Sequence, residues 1–349
     1  MNEHVDTADK GPNKQMVELL QGAWRARARH VATELGLPDL LERGERTVAE
    51  LAELAELTEL TGTHARTLGR LLRALSTFGV FQRHADGHTY SQSPLSAVLV
   101  SEPGNAESTD ARFMAANWHW AAWGDLLHSV RTGDSSFEVA NQGVSFWELT
   151  KSDPEAKERF NEAMNAVSRE ESAGVARTYD FSGVRTVVDV AGGLGSLLAA
   201  ILTEHPEVFG TILERPEIVP LAQARLEAAD VAGRYEIVAG DFFEQVPAGA
   251  DLYTIKRALH DWDDDTIVRI LEQIKEAMRP DSVLLIIEGV VDEESDQEAL
   301  FRGLLLTVLV GGQDRPESDY QALAERAGLR VVRTVPVSDD LRIVETRRD

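Results

Sequence analysis

From residue 186 onward, short β-branched runs alternate with segments of helical spacing, and this alternation constrains the fold more than any other feature of the chain. The runs at 186–190, 211–214, 235–238, 252–255 and 283–288 are interleaved with helical stretches at 195–204, 217–229 and 264–278. A short apolar run of this kind needs cover on both faces, and helical crossovers supply it, so the pattern specifies an α/β fold with a doubly wound parallel sheet. Two further runs, 330–335 and 341–345, read as additional strands. In an open sheet of this type ligands bind beyond the carboxyl ends of the strands. The residues that follow each run are therefore the place to look for chemistry.

The first of those loops is Ala191-Gly192-Gly193-Leu194-Gly195. Glycines let backbone approach a ligand and adopt positive φ, and the helix that follows aims its first N–H groups at the ligand. A tight structural turn would use the same residues, so the loop alone decides little. Two neighbours sharpen it. Leu198 stands where a dinucleotide fingerprint has its third glycine, and Asp189 lies within the strand just ahead of the loop. Both disfavour a nicotinamide-dependent dehydrogenase. A carboxylate there suits a cofactor with a positively charged amino-acid end, such as S-adenosylmethionine. Glu214 ends the second run, where it can accept both ribose hydroxyls. Asp241 and Phe242 follow the third, placed to bond an adenine amine and stack on its ring. Read singly, Glu214 and Asp241 are also consistent with solvated loop carboxylates.

The fourth run leads into Lys256-Arg257-Ala258-Leu259-His260-Asp261-Trp262-Asp263-Asp264-Asp265. His260 at a strand's carboxyl edge is a candidate general base. A free imidazole has a pKa of about 6.5 and a phenol about 10, so the base needs help from its surroundings. A nearby cationic sulfonium would favour the forming phenolate. A carboxylate on the other ring nitrogen would orient the imidazole and stabilise its cation. Glu288, at the end of the fifth run, and Asp314, after Gly311-Gly312, are the candidates for that role. The acidic trio 263–265 has no hard-cation ligand spacing and reads as the start of a helix, so no metal is expected.

Composition removes whole classes of function. The 349-residue chain has a formal net charge of −24, which repels nucleic-acid phosphates and anionic lipid. It has no cysteine, so disulfides, thiolate catalysis and Cys-ligated zinc are excluded. The start of the chain lacks a basic-then-apolar leader pattern and the apolar runs are short, which makes a cytoplasmic location the expectation.

The first 175 residues read as a separate, mainly helical domain, and 176–349 as the catalytic one. Residues 1 to about 14 read as a polar tail, 15–35 as one helix stopped by a turn at 36–38, with further helices from 47 and over 63–78. A hairpin follows around Ala85-Asp86-Gly87-His88, giving a winged-helix pattern. Residues 1–100 carry 11 Lys/Arg against 13 Asp/Glu and no basic face stands out. The module therefore reads as a structural or dimerisation element, and a DNA-binding metabolite sensor is the weaker alternative. Between 111 and 168 the chain is rich in aromatics, including Phe113 and Trp118, which serve either as core or as the wall of a pocket for a flat aromatic ligand.

The segments Val187–Gly195, Gly240-Asp241-Phe242-Phe243, Ile255 to Asp263 and Gly311-Gly312-Gln313-Asp314-Arg315 together resemble the plant-type, S-adenosylmethionine-dependent O-methyltransferases, over nearly the whole chain. Gln21–Leu35, Thr109–Trp123 and Ser129–Asn141 resemble the actinobacterial, antibiotic-tailoring branch. The resemblance implies a homodimer formed through the N-terminal helices and a phenolic or quinone-type acceptor from an aromatic polycyclic natural product. It implies His260 as base with Glu288 and Asp314 beside it. Asp189, Gly192, Gly193, Glu214, Asp241, Phe242, Lys256 and Ser168 would hold the cofactor. Met164 matches a methionine that packs on the acceptor ring, and Leu305 replaces another. The usual first glycine of the loop is Ala191, and the second flanking acid is Asp314 in place of Glu.

Overall fold

The structure, a computed structural model, describes residues 11–57, 63–101, 105–292, 295 and 297–349. The chain forms two units, Met1–Asn117 and Trp118–Asp349. The boundary expected near 175 falls instead inside the unbroken helix Pro154–Thr178. Val175 and Ala176 of that helix share an apolar cluster with Leu197 and Leu198 of the helix Ser196–Glu204. The helix is thus part of the α/β unit, because its apolar residues are buried there.

In the N-terminal unit, β1 (Arg46–Thr47), β2 (Phe81–Arg83) and β3 (Thr89–Gln92) form a small antiparallel sheet in the order β1-β3-β2. Leu68, Leu72 and Leu75 recur on one face of the helix Ala65–Ser76 and bury against Leu37, Leu41, Phe81 and Tyr90. Two expectations need correction. Helix begins at Pro12 rather than after residue 14, since proline's fixed φ suits a first helical turn. The single helix expected over 15–35 is two, Pro12–Leu20 and Gly22–Glu34, parted at Gln21 ahead of a glycine. Residues 1–10 of the expected tail lie outside the described residues.

The second unit is built on seven strands: β4 (Thr186–Val190), β5 (Phe209–Glu214), β6 (Tyr235–Ala239), β7 (Leu252–Lys256), β8 (Val283–Gly289), β9 (Leu329–Pro336) and β10 (Leu341–Arg348). Their order is β6-β5-β4-β7-β8-β10-β9. The first five pair in parallel, as the run pattern requires. The last two do not extend the parallel set: β9 and β10 form a hairpin, and β10 inserts antiparallel against β8. All seven residues of β8 are buried. The chain runs outward from β4 to β6 and returns to β7 on the other side of β4, so the strand order reverses between β4 and β7. In sheets of this kind the ligand crevice lies beyond the carboxyl ends of the two strands at such a reversal. Leu198 also finds its reason here. A Cβ on Gly210 of β5 would collide with the Leu198 side chain, so the clearance for close helix–strand packing sits on the strand instead of the helix.

Candidate active site

The glycine loop leaves β4 with three residues at positive φ: Ala191 at 55°, Gly193 at 55° and Gly195 at 80°. Ala191 is the exception among them, an L-residue with a Cβ in the left-handed region. At Gly192 a Cβ would come within 2.8 Å of Asp189 Oδ2 and 3.0 Å of Ile212 Cγ2. Asp189 is buried. Its Oδ1 accepts a hydrogen bond from Thr254 Oγ1 on β7 at 2.7 Å, while its Oδ2 has no partner. Burial pushes this carboxyl up to about 7 despite the Thr254 bond. An unpaired carboxylate oxygen beneath the glycines is a strong acceptor for a cationic group. Glu214 closes the loop from β5: its Oε2 accepts the Gly193 N–H at 2.9 Å. Asp241 folds back to accept the Phe243 N–H at 2.8 Å, and Phe242 packs on Phe243 with ring centroids 4.7 Å apart.

Across the crevice, β7 ends at Lys256. Its Nζ donates to Ser168 Oγ at 3.0 Å and to Glu171 Oε2 at 3.0 Å. A single-turn 3₁₀ helix, Leu259–Asp261, then presents His260. Gln313 N–H donates to the His260 carbonyl at 2.9 Å. His260 is 9 % exposed. Its Nδ1 lies 3.3 Å from Asp314 Oδ1 and 3.4 Å from Glu288 Oε2, and its Nε2 lies 3.7 Å from Asp261 Oδ1. Glu288 Oε1 is fixed separately by the Ala258 and Leu259 N–H groups at 3.0 and 2.8 Å. Burial alone would lower the imidazole's pKa. Glu288, Asp261 and the Asp314 bond outweigh it and hold His260 up to about 9. The shorter Asp314 therefore reaches the ring. Arg315 anchors its loop, donating to Asp264 Oδ1 at 3.0 Å and to the Trp262 carbonyl at 2.9 Å.

The structure thus brings Asp189, Gly192, Gly193, Glu214, Lys256 and Ser168 to one part of the crevice and His260, Glu288 and Asp314 to another. Met164 is exposed on the same helix as Ser168, and Leu305 is half-buried on the helix Gln297–Val310. Gly303 of that second helix lies under Asp314. Trp118 joins a ring cluster with the fully buried Phe137 and Phe146, at 6.0 and 5.9 Å. Phe113 is buried within the N-terminal unit. Sequence reasoning passed over Glu171 and Arg257. The sequence offers only the recurrence of 164, 168 and 171 on one helix face; the positive φ of Arg257, 52°, and its meeting with Glu171 appear in the structure alone.

Residues 123–330 match the O-methyltransferase domain, and residues 17–102 match the O-methyltransferase dimerisation domain. The chain belongs to the O-methyltransferase family. This methyltransferase is 52 % identical, over 99 % of its own length and 98 % of the relative's, to the mitomycin biosynthesis 6-O-methyltransferase of Streptomyces lavendulae. Its structure matches that of a mitomycin 7-O-methyltransferase with a TM-score of 0.92, at 52 % identity, covering 97 % and 98 % of the two chains. It also matches an O-methyltransferase from neocarzinostatin biosynthesis, held in complex with S-adenosylhomocysteine and 1,4-dihydroxy-2-naphthoic acid. There the TM-score is 0.83 and the identity 32 %, over 95 % and 98 % of the chains.

Proposed function

We propose that this methyltransferase moves a methyl group from S-adenosylmethionine to a phenolic or quinone-type hydroxyl of an aromatic polycyclic natural product, with His260 as general base and the protein acting as a homodimer. The observation that carries this reading is His260 itself, whose Nδ1 faces Asp314 and Glu288 at 3.3 and 3.4 Å. With Nδ1 held by carboxylates, Nε2 is the atom available to a substrate proton. A base at about 9 stands only about one unit below a phenol at about 10, where a free imidazole would stand more than three below.

The cofactor fits the residues present. Asp189 Oδ2 is a buried acceptor with no partner, suited to the cationic amino group of an amino-acid end. Gly192 and Gly193 give the approach, Glu214 and Asp241 offer carboxylates for ribose and adenine, and Phe242 a stacking face. Lys256 and Ser168 flank the amino-acid end. When bound, S-adenosylmethionine supplies an electrophilic methyl carbon on a sulfonium. The acceptor hydroxyl gives its proton to His260 Nε2, its oxygen bonds to that carbon, and the electron pair of the broken carbon–sulfur bond stays on sulfur. Glu288 and Asp314 stabilise the imidazolium that results. Holding oxygen, carbon and sulfur in line supplies the remaining advantage, largely entropic. Met164, Leu305 and Trp118 are the apolar side chains of the α/β unit proposed to meet the acceptor. The aromatic dihydroxy acid held by the neocarzinostatin relative supports a flat hydroxylated acceptor, as does the mitomycin kinship.

The test is mass spectrometry of a panel of phenols, catechols and hydroxyquinones incubated with protein and S-adenosylmethionine. Gain of one methyl on a ring hydroxyl is expected. Transfer to nitrogen alone, or none at all, would overturn the reading. His260→Ala should lower turnover by about 10²–10⁴-fold with S-adenosylhomocysteine affinity retained. Unchanged turnover would remove His260 from the chemistry.

A further inference from the structure

We propose that Glu171 is a positioning residue that joins the two halves of the active site, holding Lys256 on the cofactor side and Arg257 on the base side with one carboxylate. The inference rests on the function proposed above. Glu171 lies on the helix Pro154–Thr178, seven residues after Met164 and three after Ser168, so the three share a face. Its side chain is 12 % exposed. Oε2 accepts from Lys256 Nζ at 3.0 Å, and Oε1 from Arg257 Nη2 at 2.7 Å and Nε at 3.1 Å. Burial opposes its ionisation, but Arg257 and Lys256 outweigh burial and keep the carboxyl below its ordinary range.

Arg257 is what connects this carboxylate to His260. Its backbone is left-handed, φ 52°, and its N–H donates to the Ile287 carbonyl of β8 at 3.0 Å. The guanidinium consequently lies across Gly289, where a Cβ would collide with Nη1 and would stand 3.3 Å from Asp314 Oδ1. Arg257 therefore sits against the acids that hold the imidazolium, and its charge opposes that of His260. Glu171 offsets that charge. The second acid on Arg257, Asp340 at 3.4 Å, is shared with Arg302. The groups facing His260 are Asp261 on its own turn, Glu288 from β8, Asp314 from the loop after the helix Gln297–Val310, and Arg257. Tyr320, from the helix Glu317–Arg326, lies near Glu288 and Asp314 and stays neutral, and Arg315 is engaged by Asp264.

Removing the negative charge of Glu171 leaves Arg257 less compensated, with Asp340 shared with Arg302, and should make the imidazole lose its proton at lower pH. Removing Arg257 should do the reverse. The experiment is a pH titration of isotope-labelled His260 by NMR in the protein without cofactor, with calorimetry of S-adenosylhomocysteine binding alongside. Glu171→Gln is expected to lower the His260 midpoint by about half a unit or more and weaken S-adenosylhomocysteine binding about tenfold. Arg257→Gln is expected to raise the midpoint, and Glu171→Asp, which keeps the charge, to restore most of both effects. A midpoint that stays put or rises in Glu171→Gln overturns the proposal, as does a shift of the same sign in both charge-removing variants. Should Glu171→Gln fail to fold, Arg257→Gln decides alone, and a midpoint that does not rise overturns the proposal. Wild-type protein that transfers no methyl would defeat the function proposed above, while the midpoints would still judge Glu171.

Discussion

Gly312 shows how closely His260 is held by backbone. A Cβ there would collide with the carbonyl oxygen of His260 and stand 3.2 Å from Asp261 Cα. Neither is the tip of a flexible side chain, so Gly312→Ala must displace the turn that carries His260. We expect kcat to fall by about tenfold or more with S-adenosylhomocysteine affinity within about twofold of wild type, since small errors in placement of a reacting group are costly. Equal losses in both would point to general misfolding. The protonation of His260 gives a second expectation. The proposed base works when neutral and the His260 pKa is held up to about 9, so log kcat/KM for the acceptor should climb with pH at unit slope and level off near 9. A plateau reached below pH 7 would contradict it. The sign for stability is opposite: folding favours the imidazolium, so this contribution is present below about 6.5 and is lost as pH rises through about 9. His260 and Glu288 were legible because each stands at the carboxyl end of a strand, which fixes a residue's place without reference to anything else, whereas Asp314, in the loop after the helix Gln297–Val310, was marked only by the Gly311-Gly312 pair ahead of it and by the family resemblance. Glu171 and Arg257 were not legible, because their meeting depends on where a 25-residue helix docks. Nor does the sequence reveal that Ala191, which stands in place of the usual glycine, takes φ 55°.

The acidic trio shows the same contrast for whole elements. Asp263 is the N-cap of the helix Asp264–Ala277, accepting the Thr266 N–H at 2.8 Å. Asp264 pairs with Arg315 at 2.8 Å and Asp265 with Arg326 at 2.7 Å. Each acid thus has a partner within the protein, and the expectation that the trio opens a helix matches the structure. Asp263→Ala should cost about 1 kcal/mol in chemical denaturation without changing S-adenosylhomocysteine affinity. A large loss of affinity would mean that the residue does more than cap. The parallel strands were legible because the central ones, β4, β7 and β8, are buried along most of their length, which writes itself into composition, and because helical segments separate most of the runs. The order of β9 and β10 was not. A run of β-branched residues states that a strand exists but not which neighbour it takes, and β10 pairs with β8 across the connection that a hairpin reverses.

For the whole molecule, the helices Pro12–Leu20 and Gly22–Glu34 leave Leu19 73 %, Leu20 69 % and Trp24 72 % exposed. Large apolar side chains left this open suit an interface, and the dimerisation domain matched over 17–102 includes all three. The protein should sediment at twice the mass of one chain, and Trp24→Glu combined with Leu20→Glu should give monomers. A monomeric wild type would defeat the homodimer reading. With −24 charges on each chain, added salt should strengthen rather than weaken the association. The division at 117 was illegible in composition because the helical segment beyond it is no less helical than the one before, and only its packing assigns it to the α/β unit. The unpaired oxygen of Asp189 has a further effect on the molecule as a whole. A carboxyl held near 7 by burial keeps much of its proton up to about pH 7, and a cation settling against it drives that proton off. If Asp189 holds the cofactor as proposed, capture of a sulfonium amino acid below pH 7 is an exchange of cation for proton. Its affinity should grow as pH approaches 7, and the heat of binding should depend on which buffer receives the released proton.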